Sequence, residues 1–160
     1  MNVGAPEIVA KTGWTTSELR DAIRSILLPQ KFDFVTLLIG VNNQYREEPL
    51  EKYREEFEEL LNTAIGFSNK GNAGVVVLSI PDWGVTPFAE GRNREQIAAE
   101  IDSFNELNRL ITRKYGCRYI DITPGTRKAA EDLELIAQDK LHYSAIEHSR
   151  WAGLVAEALL

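Results

Sequence analysis

His142, one of only two histidines in this chain, closes the run Asp139-Lys140-Leu141-His142, with Tyr143-Ser144 after it. A neutral imidazole can take and return a proton near pH 7. An aspartate held against its Nδ1–H fixes the tautomer and stabilises the imidazolium, which is the base half of a Ser-His-Asp relay. Asp-x-x-His alone is a pattern that chance produces easily. It gains meaning from Thr12-Gly13-Trp14 and Gly40-Val41-Asn42-Asn43 upstream, because a tetrahedral oxyanion needs two or three donors aimed at it from a rigid edge. The backbone N–H of Gly13 can be approached closely where no Cβ blocks it, and the Asn42 amide is a second donor. Taken singly, Gly13 also fits an ordinary turn and Asn42 a helix cap.

The elements that must position these groups are legible in the hydrophobic pattern. Thr15-x-x-Glu18 is a capping box, followed by Leu19, Ala22, Ile23, Ile26 and Leu27 at helical spacing up to Pro29. Phe32–Gly40 and Ala73–Ile80 are nearly all apolar and β-prone, as in strands covered on both faces. A helix is expected from Leu50 to Phe67 and another from Arg94 to Tyr115. Arg118–Ile122 reads as a third strand, residues 123–138 as a polar irregular segment, and Ala145–Leu160 as a closing amphipathic helix. Ile8-Val9-Ala10 fits one further brief strand. This alternation implies βαβ units, a parallel sheet between helices, and a ligand edge at the carboxyl ends of the strands. The stretches after Ile39, Ile80 and Ile122 all fall on that edge.

Residues 1–160 fit a single domain, and with 44% hydrophobic and 26% charged residues the chain reads as globular. A net charge of −6 without a basic patch argues against nucleic acid. No signal peptide or spanning segment is visible, so no membrane partner and a cytoplasmic location are expected. One cysteine, Cys117, excludes an internal disulfide and every multi-cysteine zinc pattern. Its place before a strand suits a buried, inert thiol.

The order of motifs resembles the SGNH, or Gly-Asp-Ser-Leu, hydrolase family of esterases and lipases. Gly13 is similar to the family's second-block glycine, Gly40-x-Asn42 to its third block and Asp139-Lys140-Leu141-His142 to its last. The resemblance implies a three-layer α/β/α, flavodoxin-like fold with a parallel sheet. It also implies an ester hydrolase with His142 as base, Asp139 orienting it, and Gly13 and Asn42 in the oxyanion hole. Trp14, Asn43, Trp83 and Phe88 become candidate substrate-binding residues, although core or rim packing suits each aromatic equally well. Substrates would be small esters, such as acetylated sugars, short acyl chains or a thioester. No metal or organic cofactor is implied.

Two features depart from the family pattern. Asn43 stands where the third block usually has Asp, and the first block, which carries the nucleophilic serine, has no counterpart before Gly13. Ser17, Ser25, Ser68, Ser79, Ser103, Ser144 and Ser149 are present, but none follows a strand in a nucleophile turn. An N-terminally shortened hydrolase lacking its first strand is therefore the expectation. Losing a central strand would leave unpaired edges within the sheet, so a homo-oligomer or strand-exchanged dimer is expected. The competing reading is a non-catalytic binding module on the same fold. A flavin or nucleotide binder is disfavoured, because no glycine-rich phosphate loop follows a strand. His148 reads as structural, and its six-residue separation from His142 does not suit a shared metal on one helical face.

Overall fold

The computed structural model describes residues 4–26 and 31–159. Its helices are α1 (Thr16–Ser25), α2 (Val41–Tyr45), α3 (Leu50–Phe67), α4 (Arg94–Lys114), α5 (Thr123–Thr126) and α6 (Ala145–Leu159). The strands are β1 (Val35–Leu37), β2 (Val75–Leu78) and β3 (Arg118–Ile120), all parallel in the order β1-β2-β3. Short 3₁₀ turns fill much of the remainder.

The middle strand shows why the fold has three layers. All four residues of β2 are buried, and successive side chains point to opposite faces. Val75 and Val77 join Leu37 and the apolar faces of α1, α3 and α4, including Tyr53, Phe57, Ile101 and Phe104. Val76 and Leu78 join Ile122, Leu135, Tyr143 and Trp151 of α6 on the other side. A run with no polar alternation is the signature of a strand between two helical layers, and the architecture is α/β/α as expected.

The long helices keep their expected bounds because their ends are encoded locally. Asn93 caps α4 by accepting from Gln96 N at 3.1 Å, and Gly116, at φ +68°, follows its last turn. The capping box of α1 is present, with Glu18 Oε2 accepting from Thr15 N at 2.8 Å. This helix ends at Ser25, and the expected continuation through Leu27 to Pro29 lies outside the described residues.

Several expectations are corrected. Ile8-Val9-Ala10 is not a strand: it pairs with no strand and is largely exposed, with only Val9 packed on the core. The strands are shorter than their apolar runs. Phe32 makes only an isolated bridge to Ser68, and the residues after Leu37 and Leu78 leave the sheet at its carboxyl edge. Residues 123–138 are organised into α5 and two 3₁₀ turns rather than irregular. The described sheet has no internal gap, since its strands are contiguous. The outer strands β1 and β3 are its two edges, and β1 lies beside a groove of about 490 Å³ lined by Val35–Leu37, residues 4–7 and Val9. Among the described residues, no helix is long and apolar enough to cross a membrane.

Candidate active site

The Asp139–His142 loop is a small hydrogen-bonded unit built largely from its own backbone. An antiparallel bridge between Ile136 and Tyr143 closes its base, and Ala137 N donates to His142 O at 2.7 Å. Lys140 takes a left-handed conformation at φ +65° to turn the chain. Asp139 uses both carboxylate oxygens. Oδ1 accepts from Leu141 N (3.0 Å) and His142 N (2.9 Å), and Oδ2 lies 2.6 Å from His142 Nδ1. The two backbone donors, followed by the imidazole, hold the Asp139 carboxyl down at about 2 although it is exposed to water. Asp139 is therefore an anion at neutral pH and accepts the Nδ1 proton, which leaves Nε2 of His142 as the basic nitrogen. Among the described residues, Nε2 has no hydrogen-bond partner, and the ring is about half exposed.

Gly13 and Asn42 form a second unit on the same sheet edge. Gly13 sits in a turn at φ +89°, where its carbonyl accepts from Arg46 at 2.7 Å. Its N–H has no partner among the described residues. A Cβ there would meet nothing within 4 Å, so glycine is needed for the backbone angle and not for space. The Asn42 amide donates one proton to Trp14 O at 3.0 Å, tying the first turn of α2 to the Gly13 turn. A second amide proton remains for a ligand. Gly40, at φ +126°, makes the sharp exit from β1 into α2, and Tyr53 Oη seals it by donating to Ile39 O at 3.0 Å.

The other candidates divide by burial. Asn43 is fully buried. It accepts from Thr16 N and donates to Thr16 Oγ1 and Glu48 Oε2, so its polar atoms hold α1 against α2 and face no cleft. Trp83 is 5% exposed, and its Nε1 is committed to Gln44 at 2.7 Å. Trp14 is half-buried against the core. Phe88 is exposed, and its backbone N–H donates to Lys140 O at 3.0 Å, directly inside the Asp139–His142 loop.

No described serine has its hydroxyl on His142. Ser79 Oγ is buried among the backbone N–H groups of Ile122 and Thr123, and Ser68 is buried at the end of α3. Ser144 Oγ is buried without a partner. His148 turns Nδ1 to the Ser144 carbonyl, and its ring packs against Trp151 at a tilt of 48°. Among the described residues, no three Asp, Glu, His or Cys side chains gather as a metal site would require. The Cys117 thiol is buried, which pushes its pKa up.

Tyr45, an aromatic that the sequence also places near this edge, and Arg92, which no motif marks, complete the surroundings of the site. Tyr45 and Arg92 join Trp83 and Phe88 in an aromatic cluster beside the site, and only a fold-level view brings residues this far apart in sequence together.

With this geometry in view, comparison with known proteins is decisive for the family. Residues 2–148 match the GDSL-like lipase/acylhydrolase family. The chain belongs to that family. It is similar to an acetylxylan esterase from Geobacillus stearothermophilus, with 23% identity over 146 residues, covering 86% of this chain and 64% of that protein. The chain thus spans less than two thirds of that relative's length. The crystal structure of that organism's acetylxylan esterase Axe2 superposes with a TM-score of 0.70 at 18% identity, covering 92% of this chain and 68% of Axe2. LAE5, an α/β hydrolase from the metagenome of Lake Arreo, Spain, gives 0.69 at 21% identity over the same shares. Catalytic mutants of Axe2 replace a serine near its N-terminus and an aspartate and a histidine three residues apart.

Proposed function

We propose that this chain carries the base and oxyanion halves of a serine ester hydrolase acting on small acyl esters, with acetylated saccharides as the first class to test. His142 is the general base, Asp139 orients it, and the Gly13 N–H and the Asn42 amide receive the oxyanion. The nucleophile is a serine outside these 160 residues, delivered to the edge where Nε2 of His142 is open. The observation that carries the reading is the 2.6 Å contact of Asp139 Oδ2 with His142 Nδ1, with Nε2 unpartnered among the described residues. The three-residue spacing of the catalytic aspartate and histidine in Axe2 is also the spacing here.

In this reaction the serine Oγ attacks the acyl carbon as Nε2 takes its proton, and the carbonyl oxygen becomes the oxyanion. The imidazolium then protonates the departing alkoxide, leaving an acyl-serine. Water attacks that ester with Nε2 again as base, releasing the acid and restoring serine. Asp139 remains charged throughout.

Exposure to a fluorophosphonate followed by intact-mass analysis tests the proposal, on this chain and on one with its upstream codons restored. The expected result is labelling of the extended chain only, abolished by His142→Ala. The competing reading, a binding module on the same fold, draws on the absence of any described serine at His142. Labelling of neither form would favour it, and labelling of the 160-residue chain itself would overturn the assignment of the nucleophile.

A further inference from the structure

Between the two units of the candidate site stands a cluster that no motif announces. The rings of Tyr45, Trp83 and Phe88 meet pairwise at 5.2, 6.2 and 6.1 Å. The Arg92 guanidinium lies 5.3, 5.4 and 5.5 Å from their centroids. Tyr45 is three residues after Asn42 on α2, hence on the same face of that helix. Phe88 is bonded through its backbone to Lys140 of the His142 loop. The cluster therefore bridges the oxyanion side and the base side, and Arg92 is its cap.

The guanidinium is held in place but not neutralised. Among the described residues it makes no ion pair, and its one side-chain hydrogen bond is a long one to Tyr45 Oη at 3.3 Å. Most of its five donors face solvent. Three aromatic contacts have already restricted its rotamers and stripped part of its hydration. Arg is matched to a carboxylate by its planar fork, and a preorganised fork loses less entropy on binding.

We propose that Arg92, presented by Tyr45, Trp83 and Phe88, is a specificity residue that binds a carboxylate on the alcohol part of the ester. The favoured leaving group is then an acidic saccharide of the uronate type rather than a neutral sugar. The role in turnover rests on the hydrolase reading above, whereas the binding step does not.

The test is binding to the 160-residue chain, read at the Arg92 Nε–Hε NMR resonance and by calorimetry. D-Glucuronate and D-glucose are the probes. Glucuronate is expected to bind about tenfold more tightly than glucose, the scale of one charge-assisted pair, and to shift the Arg92 resonance. Arg92→Gln should abolish the preference. Arg92→Lys, which keeps the charge but loses the fork, should retain only a small part of it. Arg92 is exposed, and an unchanged circular-dichroism spectrum of each variant certifies the fold. Equal affinity for both sugars, no binding of either, or glucuronate preference surviving in Arg92→Gln would overturn the proposal. Glucuronate preference without fluorophosphonate labelling of any form would retain the subsite and discard the hydrolase reading. Labelling without the preference would do the reverse.

Discussion

Gly40→Ala tests whether the exit from β1 is as tightly built as its geometry says. Gly40 has φ +126°, a region where a side chain costs about 1–3 kcal/mol. A Cβ added there would also lie 2.5 Å from Tyr53 Oη and 2.8 Å from Cε2 and Cζ. Tyr53 cannot yield cheaply. It is fully buried, donates to Ile39 O, and lies 2.7 Å from Asn108 Oδ1. Burial also pushes its phenol pKa upward, so the ring remains a neutral donor. Forcing such a side chain aside costs about a further 1–3 kcal/mol. The expected destabilisation is therefore about 2–6 kcal/mol, or a fall in Tm of at least about 4 °C for a chain this long. Urea denaturation measures it. Gly13→Ala is the control, since φ is also positive there but the space is open; it should lose only the backbone cost, about 1–3 kcal/mol. The double variant with Tyr53→Leu should be less than additive, because the two changes share one collision. A loss below about 1 kcal/mol in Gly40→Ala, or strict additivity with Tyr53→Leu, would refute the reasoning.

Asp139→Asn in the serine-bearing extended chain is expected to lower kcat by about 10⁴ with KM little changed, because the wrong tautomer of His142 is then favoured; a loss under tenfold in steady-state ester hydrolysis would remove Asp139 from the relay. Since the folded-state pKa of Asp139 is depressed to about 2, its contribution to loop order is present above its ordinary value near 4 and is lost as pH falls through about 2. An NMR titration of its side-chain carboxyl carbon should therefore have its midpoint near 2, and a midpoint near 4 would contradict the two backbone bonds. Arg127→Ala strands the Asp82 carboxylate, which is buried and 2.8 Å from Arg127 Nε. A loss of about 3 kcal/mol is expected in urea denaturation, and less than about 1 kcal/mol would mean that Gly84 N, which also donates to Asp82, satisfies it alone. The open β1 edge should make the chain self-associate, with a mass above the monomer in light scattering that Thr36→Lys reduces; a monomer at every concentration would count against a strand-accepting edge.

What the sequence made legible is what local rules encode. The capping box at Thr15, the cap at Asn93 and the unbroken apolar run of β2 announced their elements because each signal lies within a few residues of its effect. Asp139 and His142 were legible for the same reason, since the loop that joins them is closed by contacts between near neighbours. The left-handed Lys140 was not, because no glycine marks it. The place of Asn43 was also hidden. Its partners Thr16 and Glu48 are 27 residues before and 5 after it, and pairing across an interface leaves no periodic trace. For Trp83 the sequence left a ligand contact and core packing both open, and the choice is made by Gln44, 39 residues away, which holds its indole. The ends of β1 and β2 were overestimated because an apolar residue past the last strand pair can be buried without belonging to the sheet, as Ile80 is.

These two kinds of information assemble the site differently. The Asp139–His142 loop is held mainly by bonds spanning three residues or fewer and by one short bridge, with Phe88 N on Lys140 O as its tie to the rest of the fold. The Gly13–Asn42 unit is held by Gly40, Asn42 and the Gly13 turn, again without the Asp139–His142 loop. What joins them is the aromatic cluster, from Tyr45 on α2 through Trp83 and Phe88 to Lys140. Preorganised groups on rigid supports cost no rearrangement when charge develops. On the proposed reading, a serine delivered to this edge would therefore meet a base and its donors already in place. That is why, on the same reading, both units can stay ordered while no described serine reaches His142.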